Sequence, residues 1–250
     1  MCIRDSGHVD VARMLIEKGA DVGQADNRGI APLLVACELG HVDVARLLIE
    51  KGADVDQADK NGASPLCIAC QNGHVEVARL LIEKGADVDQ ADKNGASPLC
   101  IACHNGHVDV ARLLIEKDAD VGQADNDGAT PLLMACMNGH VDVVRLLIEK
   151  DADVGQADND GVSPLLAACH YDLVDVARLL IEKGADVGQA DNDGMSPLYI
   201  ACECGHVDVA RLLIEKDADV GQADKNGRSP LAIAKQKLSL IHISEPTRPY

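Results

Sequence analysis

Asp26, Asp59, Asp92, Asp125, Asp158, Asp191 and Asp224 recur at intervals of 33 residues, and each opens the pattern Asp-x-x-Gly-x-x-Pro-Leu. A chain that repeats itself at so short a period folds as a row of like units, each packed on the next, because one central core would need different residues at different depths. Six whole units run from 26 to 223, with a half unit before them (7–25) and another after (224–237). Nothing is left over for a second domain except the ends, 1–6 and 238–250.

The unit from Asp59 to Ala91 shows what each copy is built to do. Asp59-Lys60-Asn61-Gly62 is a turn, with Gly62 free to take positive φ. Ser64-Pro65 starts a helix, the hydroxyl capping it and the proline standing where its missing N–H costs nothing. Leu66 to Gln71 forms that short helix, and Asn72-Gly73-His74 connects it to the next. Val75 to Lys84 reads as a second helix with Val77, Ala78, Leu80, Leu81 and Ile82 on one face. Glu76 sits in its first turn and Lys84 in its last, both favourable to the helix dipole, and Gly85 can end it in a left-handed conformation. Ala86 to Ala91 then runs extended into the next turn.

One helical pair of this size cannot bury its own apolar face, whereas stacked copies wall each other in. The composition agrees: 47% of residues are apolar, yet the chain has no Phe, no Trp and only three Tyr. The shared core is therefore Leu, Ile, Val, Ala and Cys, with Ala69 and Ala78 letting helices approach closely.

The period of 33, the Ser/Thr-Pro-Leu helix start, the two antiparallel helices and the closing Gly-Ala-Asp-Val together resemble the ankyrin repeat, over residues 7–237. The resemblance implies an all-α solenoid of stacked helix-turn-helix units with protruding β-turn or hairpin loops. It implies a non-catalytic scaffold that holds a partner protein in a concave groove. The alternative is the recognition segment of a larger multidomain enzyme or channel. The departures are specific. The family's His after Pro-Leu is replaced by Leu34, Cys67, Cys100, Leu133, Leu166, Tyr199 and Ala232, so apolar packing is expected in place of a polar network. Ala31 lacks the capping hydroxyl of Ser64 and Thr130. Asp118, Asp151 and Asp217 replace the helix-ending glycine, and Tyr171-Asp172-Leu173 replaces Asn-Gly-His, which predicts a distorted loop there.

Other functions find little support. No apolar run approaches the ~18 residues that span a bilayer, and the charged first twenty residues leave no room for a secretory core. The net charge of −18 repels phosphate backbones and anionic lipid, which argues against nucleic acid and membrane insertion. Cys37, Cys70, Cys103, Cys136, Cys169 and Cys202 form a ladder, but stacked helices stand roughly 8–10 Å apart and a disulfide needs Cα atoms within about 7 Å. They read as small buried hydrophobes. The Cys67-Ile-Ala-Cys70 and Cys100-Ile-Ala-Cys103 pairs lack the redox βαβ setting. His8, His41, His74, His107, His140 and His206 are too far apart to share a metal; in the family this His orders the inter-helix loop. The acidic turns, such as Asp125-Asn126-Asp127-Gly128, lack the calcium loop's terminal Glu. No cofactor or metal is expected. Even cysteine spacing in a long apolar-rich chain points to a reducing, intracellular and cytoplasmic setting.

The ends read as foreign to the fold. Met1 to Ser6 back-translate to a stretch of about 17 nucleotides whose reverse complement encodes Leu238 to His242 and the start of Ile243, and which resembles a transposase adapter used in sequencing libraries. Residues 1–6 and 238–250 are therefore expected to be non-native tails, with the natural frame continuing beyond both.

Variation between copies concentrates at the turn tip and at the end of the first helix, the positions that line the groove in the ankyrin family. At the turns these are Arg28, Ile30, Val162 and Met195. At the helix ends they are Glu38, Leu39, Gln71, Asn72, His104 and Asn105, then Met137, Asn138, His170, Tyr171 and Glu203. The alternative is neutral variation at exposed sites, but Leu39, Met137, Tyr171 and Met195 are apolar where neutral change favours polar residues. Tyr171 and Met137 are the expected anchors, flanked by acids, for a partner protein with a basic surface, held with modest affinity and strong salt sensitivity.

Overall fold

A computed structural model describes residues 3–244, with side chains from 9 to 238. Among the described residues there are fourteen helices and no strand. The chain forms two compact units, Met1–Asp127 and Gly128–Tyr250.

In the N-terminal unit α1 (Ile3–Glu17) is followed by three helical pairs: α2 (Pro32–Glu38) with α3 (Val42–Glu50), α4 (Pro65–Gln71) with α5 (Val75–Glu83), and α6 (Pro98–His104) with α7 (Val108–Glu116). The first helices α2, α4 and α6 pack side by side in one layer, and α1, α3, α5 and α7 in another. The C-terminal unit repeats the plan with α8 (Pro131–Met137), α9 (Val141–Glu149), α10 (Pro164–His170), α11 (Val174–Glu182), α12 (Pro197–Cys204) and α13 (Val207–Glu215), and ends on α14 (Pro230–Ser244) packed against α12. Lys84 is the C-cap of α5 and not part of its last turn, so the expected dipole contact within the helix is replaced by a residue just past its end.

Each first helix begins as its sequence dictates. Ser64 Oγ accepts the Cys67 N–H at 3.2 Å and Ser163 Oγ accepts that of Leu166 at 3.3 Å, with proline opening the helix. Ala31 makes no such bond. The second helices carry no side-chain cap; they rely on the preceding loop, where the His74 N–H reaches Ala69 O at 2.9 Å. They end in left-handed residues, Gly85 at φ 91° and Asp118, Asp151 and Asp217 at φ 64°, 60° and 62°.

The core lies between the two layers of each unit. Leu66, Ala69, Cys70, Ala78 and Leu81 in one unit, and Leu133, Ala135, Cys136, Val144 and Leu147 in the other, are almost wholly buried. Zero-exposure alanines at the helix contacts explain how a core without Phe or Trp can close.

The turns are stitched in register. Asp59 Oδ1 accepts N–H groups from Asn61 and Ala63 at 2.8 and 2.9 Å, and the Lys60 N–H bonds Arg28 O of the preceding turn at 3.0 Å. Gly62, at φ 84°, lies so close to the following turn that a Cβ would stand 2.9 Å from Lys93 N.

Two expectations need correction. A polar network does link neighbouring repeats: Gln57, Gln90 and Gln123 donate to carbonyls of Gly23, Asp56 and Asp89 in the repeat before, and within their own units Cys67 Sγ donates to Gln90 O at 3.5 Å and Cys100 Sγ to Gln123 O at 3.3 Å. Thiols and amides have taken over from the missing histidine, with apolar packing around them. The Tyr171-Asp172-Leu173 loop is also undistorted. Asp172 adopts φ 58° where Gly73 has 72°, Leu173 keeps the backbone angles of His74, and the Leu173 N–H bonds Ala168 O at 2.9 Å. A short acidic side chain tolerates the left-handed region well enough to hold the loop.

The tails assigned from the sequence fall partly outside the described residues, namely 1–2 and 245–250. The described parts, 3–6 and 238–244, continue α1 and α14.

Candidate functional site

The variable positions of the C-terminal unit converge. Met137 ends α8, Val162 and Met195 stand on turns, and His170 and Tyr171 close α10; all five line one hollow of about 270 Å³. Leu166, Ala167, Asp191 and Ile200 complete it. Tyr171 is 48% exposed and Met137 38%, so apolar surface faces solvent at the rim. The Tyr171 ring meets His170 edge-on at 4.7 Å. The walls are almost entirely carbon, and Asp191 is the one acidic lining residue.

Two substitutions within the repeat make this hollow. The position of Ala167 is Val35, Ile68, Ile101, Met134 and Ile200 in the other copies, so Ala167 removes a branched or long side chain and becomes the floor. At the helix end, Asn72, Asn105 and Asn138 fold their amides back onto Ile68 O, Ile101 O and Met134 O at 2.8–2.9 Å. Tyr171 cannot make that cap, and its ring forms a wall instead. Sequence reasoning missed Leu166, Ala167 and Ile200; the lone small residue in a column of large ones was the signal for Ala167.

The remaining expected residues are placed differently. Asn72, Asn105 and Asn138 serve their own helix ends. Glu203 pairs with Lys237 Nζ at 3.3 Å. In the N-terminal unit Arg28 lies 3.2 Å from Asp26, Ile30 is half-buried, and Glu38, Leu39, Gln71 and His104 are exposed at the ends of α2, α4 and α6. Leu39 stands open at 57%.

Charge divides the same surface. Between Gly128 and Gly205 every Lys and Arg stands on a second helix or its C-cap: Arg145, Lys150, Arg178 and Lys183. The turns and first helices there carry Asp158, Asp160, Asp191, Asp193 and Glu203 and no Lys or Arg of their own, though Lys237 of α14 reaches Glu203. The turns of the N-terminal unit include Arg28, Lys60 and Lys93.

The histidine and cysteine ladders are used structurally. His74 Nε2 contacts Glu38 O, His107 Nε2 contacts Gln71 O and His206 Nε2 contacts His170 O, each at 3.0 Å. The ring thus ties a repeat to the one before it, beyond ordering its own loop. Gly40 makes room, since a Cβ there would lie 2.7 Å from the His74 ring. Burial pushes the Cys37, Cys136 and Cys169 thiols up to about 12, and Cys70 and Cys103 well above their ordinary value. Such thiols are protonated at neutral pH and poor nucleophiles.

Stacked helical pairs and stitched turns, repeated within each unit, define a helical repeat protein. The sequence matches Ankyrin repeats (3 copies) in overlapping blocks, 1–59, 53–125, 86–158, 119–191, 150–224 and 184–241. The chain belongs to the ankyrin repeat family. It is similar to the crystal structure of the human ASB11 ankyrin repeat domain, with a TM-score of 0.77 and 28% identity over 88% of this chain and 100% of that one. Comparison with curated proteins gives no match. Ankyrin repeats are, as a family, protein–protein interaction modules, and among the described residues no helix is long and apolar enough to cross a membrane.

Proposed function

We propose that this chain is a non-catalytic interaction module that holds a partner protein with a basic surface on the face made by its turns and first helices. One observation carries the reading. In the C-terminal unit that face collects exposed apolar side chains, Met137 and Tyr171, beside the turns of Asp158 and Asp160 and of Asp191 and Asp193, which carry no Lys or Arg. Apolar anchors within a rim of one charge sign are the ordinary makeup of a protein recognition surface. The protonated thiols and the histidines engaged with backbone carbonyls support a structural use of both ladders. Free buried cysteines support an intracellular, cytoplasmic location. We assign the array to residues 7–237 and regard 1–6 and 238–250 as foreign tails.

The test is capture of proteins on the immobilised chain, eluted with a salt ramp. Basic proteins should bind and elute early, and Tyr171→Ala should weaken capture while the circular dichroism melt is unchanged. Retention of acidic proteins, or equal capture by Tyr171→Ala, would count against the reading.

A further inference from the structure

We propose that the hollow in the C-terminal unit is a receptor for a single large apolar side chain, carried by a peptide whose neighbouring residues are Lys or Arg. The inference rests on the interaction reading above and narrows it to one pocket and one kind of motif.

Size comes first. Ligand pockets for small molecules run from ~300 to ~1,000 Å³, and this hollow, at about 270 Å³, falls just short. It suits one Phe, Leu or Met side chain better than a whole metabolite. Shape follows from Ala167. The other copies fill its position with Val, Ile or Met, and here the missing atoms leave the depression that Leu166 and Ile200 flank. Met137 and Met195 line it with flexible, polarisable thioethers that can close on side chains of different outline. The half-exposed Tyr171 ring, steadied edge-on by His170, gives a firm wall at low entropy cost.

Charge supplies the flanks. Asp191 lines the hollow; its Oδ1 accepts the Asp193 and Met195 N–H groups at 2.9 and 2.8 Å, which fixes the carboxylate there. Asp158, Asp160 and Asp193 stand on the same turns, which hold no Lys or Arg of their own; the first base in the row is Lys225, on the turn after Asp193. A peptide that seats an apolar residue would bring its neighbours against these acids, so cationic neighbours are favoured and acidic ones repelled.

The test uses the full chain and dye-labelled peptides Lys-Lys-Ala-Xaa-Ala-Lys-Lys with Xaa as Phe, Leu or Ala, alongside a Glu-flanked Phe peptide, read by fluorescence anisotropy. The Phe and Leu peptides should bind about tenfold tighter than the Ala peptide. Ala167→Ile, which restores a residue type the other copies carry, should erase that preference and leave the weak affinity for lysine intact. Tyr171→Ala, on an exposed position, should reduce it in the same way should Ala167→Ile prove unstable. Arg112→Ala, on an exposed position of the second helix α7, should leave the preference unchanged. Equal binding of the Phe and Ala peptides, or a preference that survives both pocket variants, would overturn the receptor while leaving a basic partner in place. If Glu-flanked peptides bind as well as Lys-flanked ones, the underlying interaction reading falls too, and the receptor with it.

Discussion

The Tyr199 hydroxyl donates a 3.3 Å hydrogen bond to Asp224 Oδ2, tying α12 to the turn that precedes α14. Arg228 completes the cluster. Its guanidinium reaches Asp224 Oδ2 at 2.6 Å and lies 5.8 Å from the Tyr199 ring centre. Burial by itself raises the Asp224 carboxyl, but hydrogen bonds from the Arg228 backbone and guanidinium and from Asn226 outweigh it and hold the group well below the usual carboxylate range. A carboxyl depressed in the folded state contributes stability that is fully present above its unfolded value of ~3.9 and drains away as pH falls through the lower folded value. The α14 end should therefore loosen in acid. The urea midpoint should fall more steeply with decreasing pH in the parent chain than in Asp224→Asn, whose lower stability should be flatter in that window. Parallel curves would remove Asp224 from the account.

Ala31 is the one N-cap among the described first helices without a hydroxyl. Its backbone already has the extended conformation of Ser64, φ −83° and ψ 160° against −76° and 163°. Ala31→Ser should then add about 1 kcal/mol by capping α2. Urea denaturation that shows no gain would mean that the buried site cannot hold the new oxygen.

Asp118, Asp151 and Asp217 hold left-handed conformations that Gly19, Gly52, Gly85 and Gly184 supply elsewhere. A Cβ at Gly85 would meet nothing within 4 Å, so the cost of the aspartates is conformational, not steric. Replacing each by Gly should stabilise the chain by about 0.5 kcal/mol, and Gly85→Asp should cost a similar amount. Thermal melts of the triple Asp→Gly variant offer the clearest reading, since the three gains should add.

Thiol chemistry should sort by burial. Among the described cysteines only Cys204 is exposed and Cys202 is intermediate. Brief alkylation of the native chain followed by peptide mass spectrometry should label Cys204 first and Cys202 next. The thiols held near 12, Cys37, Cys136 and Cys169, should react only after unfolding. Early labelling of Cys70 or Cys103 would show that the stack opens locally.

Both ends of the described chain carry uncovered apolar surface. Met14 and Leu15 on α1 stand open at 65% and 58%, whereas Leu47 and Leu48, their counterparts one repeat on, are buried. At the other end Val207, Ala210 and Ile214 border a hollow of about 420 Å³ along α13. The chain should associate as its concentration rises, and its ends should exchange amide hydrogens faster than its middle. Light scattering should show that Met14→Lys with Ile214→Lys reduces association. A monomer with even protection along its length would refute the expectation.

The repeat unit was legible in the sequence because its signals are local. Pro65 after Ser64, glycine at the turn and an apolar stripe in Val75–Glu83 each fix a conformation within a few residues, and a period of 33 then fixes which surfaces meet. The exposed anchors Met137, Tyr171 and Met195 were visible the same way, as departures from the repeat. Contacts between repeats were not legible. That Gln90 would donate to Asp56 O and that His74 would reach back to Glu38 O depend on distances across copies, which no single unit encodes. The hollow is the same kind of fact. Ala167 is an ordinary helix residue on its own, and only with Met137 and Met195 brought beside Tyr171 from another helix and turn does its missing side chain become a space.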